Sequence, residues 1–267
     1  MLLVIDAGNT NIVIGVFDEN KLKFNWRIST KRNITVDEMA LLIHNLFHLN
    51  ELDKKIIQGC IISNVVPSLT LPLKEMTKLL FNFTPVFVEP GIKTGISILY
   101  ENPKEVGADR IVNAVGAYEK FKDNIIVVDF GTATTLDCIT KEGEYLGGII
   151  SPGVMISAEA LFEYASKLPK VEIIKPKKIL GRNTTNSIQS GLYYGYLSLV
   201  DGLVSKLKKE LQWDKPKVVA TGGLARVISK NSKYIEEVDE LLTLKGLKII
   251  FEMNKFKIHR SNYEPGK

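Results

Sequence analysis

The chain has 267 residues, 45% of them hydrophobic and 24% charged, enough for one large or two modest domains with the composition of an ordinary soluble protein. Its net charge of +5 is mild and its charges are interspersed, which argues against a nucleic-acid partner. It begins directly with a strand pattern, without a basic leader, a cleavage site or a long apolar span, so a cytoplasmic protein with no membrane contact is expected.

The first stretch, Val4–Asp18, reads as a buried strand (Leu2–Ile5), a polar turn (Asp6, Ala7, Gly8, Asn9, Thr10, Asn11) and a return strand (Ile12–Phe17). Such a turn brings backbone N–H groups close to whatever lies above it. The glycine leaves room for phosphate oxygens, and Asp6 at the strand end can hold a hydrated Mg²⁺. Taken alone, an ordinary hairpin turn is the better reading. A third strand, Leu22–Ile28, completes a meander. Thr35 and Glu38 form a capping-box pattern ahead of a helix with Met39, Leu42, Ile43, Leu46 and Phe47 on one face. His44 and His48 on that helix have the spacing of a metal pair but lack a third ligand, so they read as an ordinary helix face. The strand Ile56–Asn64 follows, then a helix opened by Pro67 and running to about Leu80, and a short strand Pro85–Val88. The order βββαβα(β) matches a ribonuclease-H-like half-domain. Cys60, like Cys138 later, lies in a strand pattern away from any CxxC and reads as a small core residue of a reducing compartment.

Ile92–Pro103 reads as irregular, with Tyr100 just before a helix expected over Lys104–Phe121. The scheme then repeats. Ile125–Asp129, Thr134–Thr140 and Tyr145–Ile150 form a second meander, and Asp129-Phe-Gly131-Thr132 copies Asp6-Ala-Gly8-Asn9. A repeat of this kind outweighs the local hairpin reading. A helix is expected from Ser151-Pro152-Gly153 to about Ser166, then a basic loop over Lys167–Leu180. A long helix is expected over Asn183–Gln212; its Gly191 and Gly195 suit either a helix–helix interface or packing on the sheet. Lys217–Thr221 is a strand followed by Gly222-Gly223, and Val238–Phe251 is expected to hold a short helix and a last strand. Glu252–Lys267 reads as a polar tail. The expected architecture is therefore α/β: two ribonuclease-H-like domains (duplicated βββαβα), residues 1–120 and 121–252, with a tail at 253–267 and the active site in the cleft between the domains.

None of the three glycine turns is a P-loop or a dinucleotide fingerprint, and no lysine lies in the first two. Phosphate charge must then be offset by backbone N–H groups and by cations beside Asp6 and Asp129.

Five motifs in order, Asp6-x-Gly-Asn-Thr10, Gly107-Ala-Asp-Arg110, Asp129-Phe-Gly-Thr132, Gly181-Arg-Asn-Thr184 and Thr221-Gly-Gly223, resemble the type III pantothenate kinases of the actin/Hsp70/sugar-kinase superfamily. The resemblance runs from about Met1 to Ile250. It implies transfer of the γ-phosphoryl group of ATP to the primary hydroxyl of pantothenate, the first step of coenzyme A biosynthesis. It also implies that Asp6–Asn11, Thr132 and Gly222 bind ATP, and that Asp6 carries Mg²⁺ through water. Asp129 would hold a monovalent cation, K⁺ or NH₄⁺. Tyr100, Gly107, Ala108, Asp109, Arg110 and Thr184 would line the pantothenate pocket, with Asp109 accepting the hydroxyl proton, and the enzyme would be a homodimer. Arg110 could pair with Asp109, bind a carboxylate or reach a phosphate. The alternatives are another small-molecule kinase of the superfamily or a non-catalytic accessory factor on the same fold.

Overall fold

The computed structural model describes residues 1–261. The chain divides into two units: Met1–Ile96 with Glu101–Gly116 and Thr243 onward, and Ser97–Tyr100 with Ala117–Leu242.

In the first unit, β1 (Leu2–Ala7), β2 (Asn11–Asp18) and β3 (Lys21–Ser29) form an antiparallel meander. β4 (Gly59–Asn64) then pairs parallel to β1, and β5 (Val86–Phe87) pairs parallel to β4, giving the order β3-β2-β1-β4-β5. The parallel pair β1/β4 needs a crossover, which α1 (Val36–Leu49) supplies. Its capping box forms as expected: the Glu38 amide donates to the Thr35 hydroxyl, and the Thr35 amide donates to the Glu38 carboxylate. The helix α2 (Thr70–Phe81) links β4 to β5. Met39, Ile43 and Phe47 of α1 and Leu73 and Met76 of α2 close over Leu3, Ile5, Ile12 and Ile14. Full burial of each such side chain contributes about 1.5–3 kcal/mol.

The second unit repeats this order. β7 (Ile125–Phe130), β8 (Ala133–Ile139) and β9 (Glu144–Pro152) form the meander. β10 (Lys217–Thr221) pairs parallel to β7, and β11 (Glu237–Val238) parallel to β10. β6 (Ser97–Ile98), inside a segment expected to be irregular, extends the sheet beside β9. The sheet order β11-β10-β7-β8-β9-β6 contains the first unit's order with β7 in the place of β1. The expected duplicated α/β architecture is thus present as two sheets of matching topology.

The boundaries differ from those expected. The helix α3 (Ala108–Phe121) starts four residues late. Pro103–Glu105 makes a separate 3₁₀ turn that ends at an extended Val106 (φ −74°, ψ 122°). Ser151 and Pro152 still belong to β9, paired to Thr134 and Ala133, so α4 (Val154–Tyr164) begins only after Gly153. The long helix α5 (Thr184–Glu210) lies where expected, capped by the Asn183 side chain. It packs on the core: Leu192, Tyr193, Tyr196, Val200 and Val204 are buried. A short helix, α6 (Ala225–Ser229), was not foreseen.

The largest difference is at the C-terminus. Where a short helix and then a last strand were expected over Val238–Phe251, β11 ends at Val238 and one helix, α7 (Leu242–Ser261), follows and takes in most of the expected tail as well. It belongs to the first unit, so neither the expected boundary at residue 252 nor the tail from 253 matches the observed division. Leu244, Leu247 and Ile250 are buried, Gly246 lies against the Val112 carbonyl, and the Asn254 amide donates to the carbonyls of Ile250 and Lys93. Lys248 and Glu252 pair four residues apart, with the Lys248 ammonium also donating to Asn20. The polar residues that masked the helical period are thus partly spent on tertiary bonds. Residues 262–267 of the expected tail lie outside the described residues. No helix among the described residues is long and apolar enough to cross a membrane.

Candidate active site

In the first unit, β1 ends at Asp6–Ala7 and turns back at Gly8–Thr10. The Gly8 amide donates to the Asn11 carbonyl at 3.0 Å. The turn is pinned from outside: the Thr30 hydroxyl donates to the Gly8 carbonyl at 2.6 Å, and the Thr30 amide to the Thr10 carbonyl. Asn9 and Thr10 are exposed, Asp6 and Gly8 half-buried. Arg32, which sequence reasoning passed over, donates to the Asn9 side-chain oxygen at 3.3 Å and so sets a guanidinium beside the lysine-free turn.

Next to Asp6 across the β1/β4 pairing is Ser63. Its hydroxyl is fully buried and has no hydrogen-bond partner among the described residues. Beyond it, Asn64 accepts from the Val66 amide and donates to Thr70, fixing the chain as it leaves β4. Val65 links two of the motifs. Its amide donates to the Ala7 carbonyl at the start of the first turn, and its side chain lies 3.8 Å from where a Cβ on Gly107 would be. The Gly107–Arg110 segment is thereby brought to the first turn within one unit. Asp109 sits in the first turn of α3 with a half-buried carboxylate that accepts from the Arg110 amide at 2.8 Å. That carboxylate folds back over Gly107, where a Cβ would stand only 2.6 Å from its Oδ1. Arg110 is buried. The helix N-terminus also favours a carboxylate at Asp109.

In the second unit, Asp129 ends β7 as Asp6 ends β1. The Gly131 amide donates to the Ala133 carbonyl, two residues on rather than three, so the second turn is the tighter. Two glycines pack against it with no room to spare. Gly222, at φ +93°, follows β10, whose Thr221 is paired to Asp129; a Cβ there would lie 2.4 Å from Asp129 Oδ1 and 2.7 Å from the Phe130 carbonyl oxygen. Gly153, the N-cap of α4, would place a Cβ 2.1 Å from the Thr132 carbonyl oxygen. Asp129, Thr132 and Gly222 therefore converge, and Gly153 joins them, a position the sequence reading took only as a helix start.

Tyr100 packs over Gly147 and against Tyr145, with ring centroids 6.4 Å apart. Behind it, the Tyr145 hydroxyl donates to the buried Asp137 carboxylate at 2.6 Å. Thr184 is exposed in the first turn of α5.

The donor set fits hard cations. Asp6 and Asp129 offer carboxylate oxygens beside turn carbonyls, and no cluster of three His, Cys, Asp or Glu side chains forms among the described residues. A closed transition-metal site is therefore not built here, whereas a cation shared between one carboxylate, water and phosphate oxygens would fit. Neither cysteine is poised as a nucleophile. Burial pushes the Cys138 thiol up to about 12 and the Cys60 thiol further upward, so both stay protonated at neutral pH. His44 and His48 stack on α1 as a plain helix face.

Known proteins resemble the chain in sequence and in fold. The family model for type III pantothenate kinase matches residues 2–206. The chain is 56% identical over 255 residues to a type III pantothenate kinase of Geotalea daltonii, covering 96% of this chain and 99% of the relative. It is 55% identical to the one of Geobacter sulfurreducens, covering 96% and 100%. Among solved structures, a putative Baf family transcriptional activator of Campylobacter jejuni matches with a TM-score of 0.59 at 19% identity, covering 95% and 99%. MreB 5 of Spiroplasma citri bound to AMPPNP matches with 0.59 at 12%, covering 97% and 98%. These structural matches show the shared fold alone, while the sequence matches extend over nearly the whole chain: the chain belongs to the type III pantothenate kinase family.

Proposed function

We propose that the protein phosphorylates the primary hydroxyl of pantothenate with ATP, the first step of coenzyme A biosynthesis, through the residues placed above. The observation that carries this reading is the pair of equivalent Asp-x-Gly turns at the ends of β1 and β7, with Asp109 tied to the first of them through Val65. The turn Asp6–Asn11, Thr132 and Gly222 take the ATP phosphates by backbone N–H groups and hydroxyls, and Arg32 adds positive charge at Asn9. Tyr100, Gly107–Arg110 and Thr184 take pantothenate. Asp109 orients the attacking hydroxyl and accepts its proton as the new O–P bond forms and the bond to the β–γ bridging oxygen breaks, releasing ADP. An ordinary carboxylate, with a pKa of about 4, is a weak base for an alcohol. In a loose transition state the proton leaves late, so its placement matters more than its basicity.

Asp6 would hold Mg²⁺ through water, and Asp129 a K⁺ or NH₄⁺ ion. The charge these supply offsets the phosphate oxygens in turns without lysine. ADP release that requires pantothenate, and that rises with K⁺ or NH₄⁺ over Na⁺, tests the reading. Equal release with a sugar or acetate in place of pantothenate would favour another kinase of the superfamily. Loss of the K⁺ response in Asp129→Ala, along with activity, is expected; a variant that stays active and K⁺-dependent rules out the cation assignment.

The enzyme acts in the cytoplasm as a homodimer in this reading, without nucleic acid or membrane. The support is on α4 and α5. Met155, Ile156, Leu161, Phe162 and Tyr164 leave α4 exposed between 40% and 87%, beside a groove of about 490 Å³ lined by Ser157, Ala160, Leu161, Tyr164 and Ala165. On α5, Gly191 and Gly195 point away from the core, with nothing within 4 Å of where a Cβ would be. A second copy laid on the exposed face of α4 would bury an apolar surface that water otherwise meets. Light scattering should give twice the chain mass, and Leu161→Glu should shift it to the monomer. A wild-type monomer refutes the assembly.

A further inference from the structure

The hydroxyl of Tyr196 is committed to a part of the second unit that the reaction uses. Tyr196 is buried midway along α5, and its oxygen reaches the N-terminus of α4. It donates to the carbonyls of Pro152 at 2.9 Å and Gly153 at 3.1 Å, a shared bond, since a phenol has one proton. The Ser157 hydroxyl lies 2.5 Å away; with the phenolic proton already given to the carbonyls, Ser157 is the donor. Gly153 is the residue that touches the Thr132 carbonyl so closely that a Cβ would not fit. Two contacts in series therefore run from α5 to the second phosphate turn: phenol to Gly153, and Gly153 to Thr132, which lies in the turn that follows Asp129. In the first unit the corresponding turn is pinned by Thr30 instead.

We infer that Tyr196 is a positioning residue for nucleotide binding: its hydroxyl holds the Pro152–Gly153 corner against Gly131–Thr132 and so fixes the donors of the second turn for the ATP phosphates. The inference rests on the proposed role of that turn. Pro152 cannot offer an amide, and the Gly153 carbonyl already accepts from the Ser157 amide in the first turn of α4. Without the phenol the corner loses its one side-chain hydrogen-bond donor among the described residues, while the ring of Tyr196 still fills the core.

Tyr196→Phe keeps the ring and removes the bond. The expected result is a three- to tenfold rise in KM for ATP and in the dissociation constant of ADP, the size of one hydrogen bond. The KM for pantothenate should stay within twofold and the melting temperature should change little. Ser157→Ala, which removes the other hydroxyl of the cluster, should shift ADP binding in the same direction by less. Gly131→Ala is the control for the turn itself. If it weakens ADP binding while Tyr196→Phe does not, the positioning role is wrong. If neither variant changes ADP binding, the phosphate role of the turn falls and the inference with it. An equal rise in both KM values with a lowered melting temperature would mark Tyr196 as structural only and overturn the proposal as well.

Discussion

Asp109→Asn should lower kcat for pantothenate by about 10²- to 10⁴-fold, the range for losing a positioned proton acceptor. The substitution is nearly isosteric, and the Asn side-chain oxygen can still accept from the Arg110 amide as Asp109 does at 2.8 Å. The start of α3 should therefore hold, and ADP should bind within about twofold of the parent. What should disappear is the proposed acceptor for the hydroxyl proton, because a neutral amide oxygen does not take a proton at neutral pH. Steady-state kinetics together with ADP titration calorimetry separates the two effects. Turnover within tenfold of the parent enzyme would remove Asp109 from the proton-acceptor role and leave it as a helix-start carboxylate.

Gly222→Ala should cost nearly as much by a different route. The residue combines a left-handed backbone at φ +93° with a Cβ position 2.4 Å from Asp129 Oδ1 and 2.6 Å from the Phe130 carbonyl carbon. The backbone conformation alone costs an L-residue about 1 kcal/mol or more. The clash is with the main chain of β7 and with the carboxylate proposed to hold the monovalent cation, and neither can yield without moving the second turn. Loss of kcat/KM of at least about 10²-fold is expected, with loss of the K⁺ response. Gly91→Ala is the matched control, since Gly91 has φ +99° but nothing within 4 Å of its Cβ position. It should lower the melting temperature slightly and leave kinetics alone. If the two variants behave alike, strain rather than the close approach explains Gly222.

The duplicated turn was legible in the sequence because its signal is local: an apolar run, an aspartate, a glycine and small polar residues, twice. The capping box at Thr35 and Glu38 and the start of α5 at Asn183 were legible for the same reason, each being a short-range hydrogen bond between residues three apart. Gly153 and Tyr196 were not. Their roles depend on a helix meeting a turn about twenty residues earlier and on a phenol reaching back more than forty positions. Ser63 and Val65 escaped because they act through the register of β1 against β4, which periodicity cannot supply. The helix over Leu242–Ser261 was lost for the opposite reason. Lys248, Glu252 and Asn254 interrupt its apolar pattern, and only their bonds to Asn20, to each other and to Lys93 show why those positions are polar.

That last helix also sets an order of assembly. The second unit is almost continuous in sequence and is finished when residue 242 has been added, apart from the short strand donated by residues 97–100. The first unit begins the chain yet includes α7, which is made last. The sheet β1–β5 is therefore made early but stays open on the side where Gly15 meets Leu244 and Gly59 meets Phe251 until that helix is added. Until then the first unit keeps an apolar face uncovered, the kind of surface through which incomplete chains aggregate. A stop codon placed before residue 243 would leave it permanently incomplete.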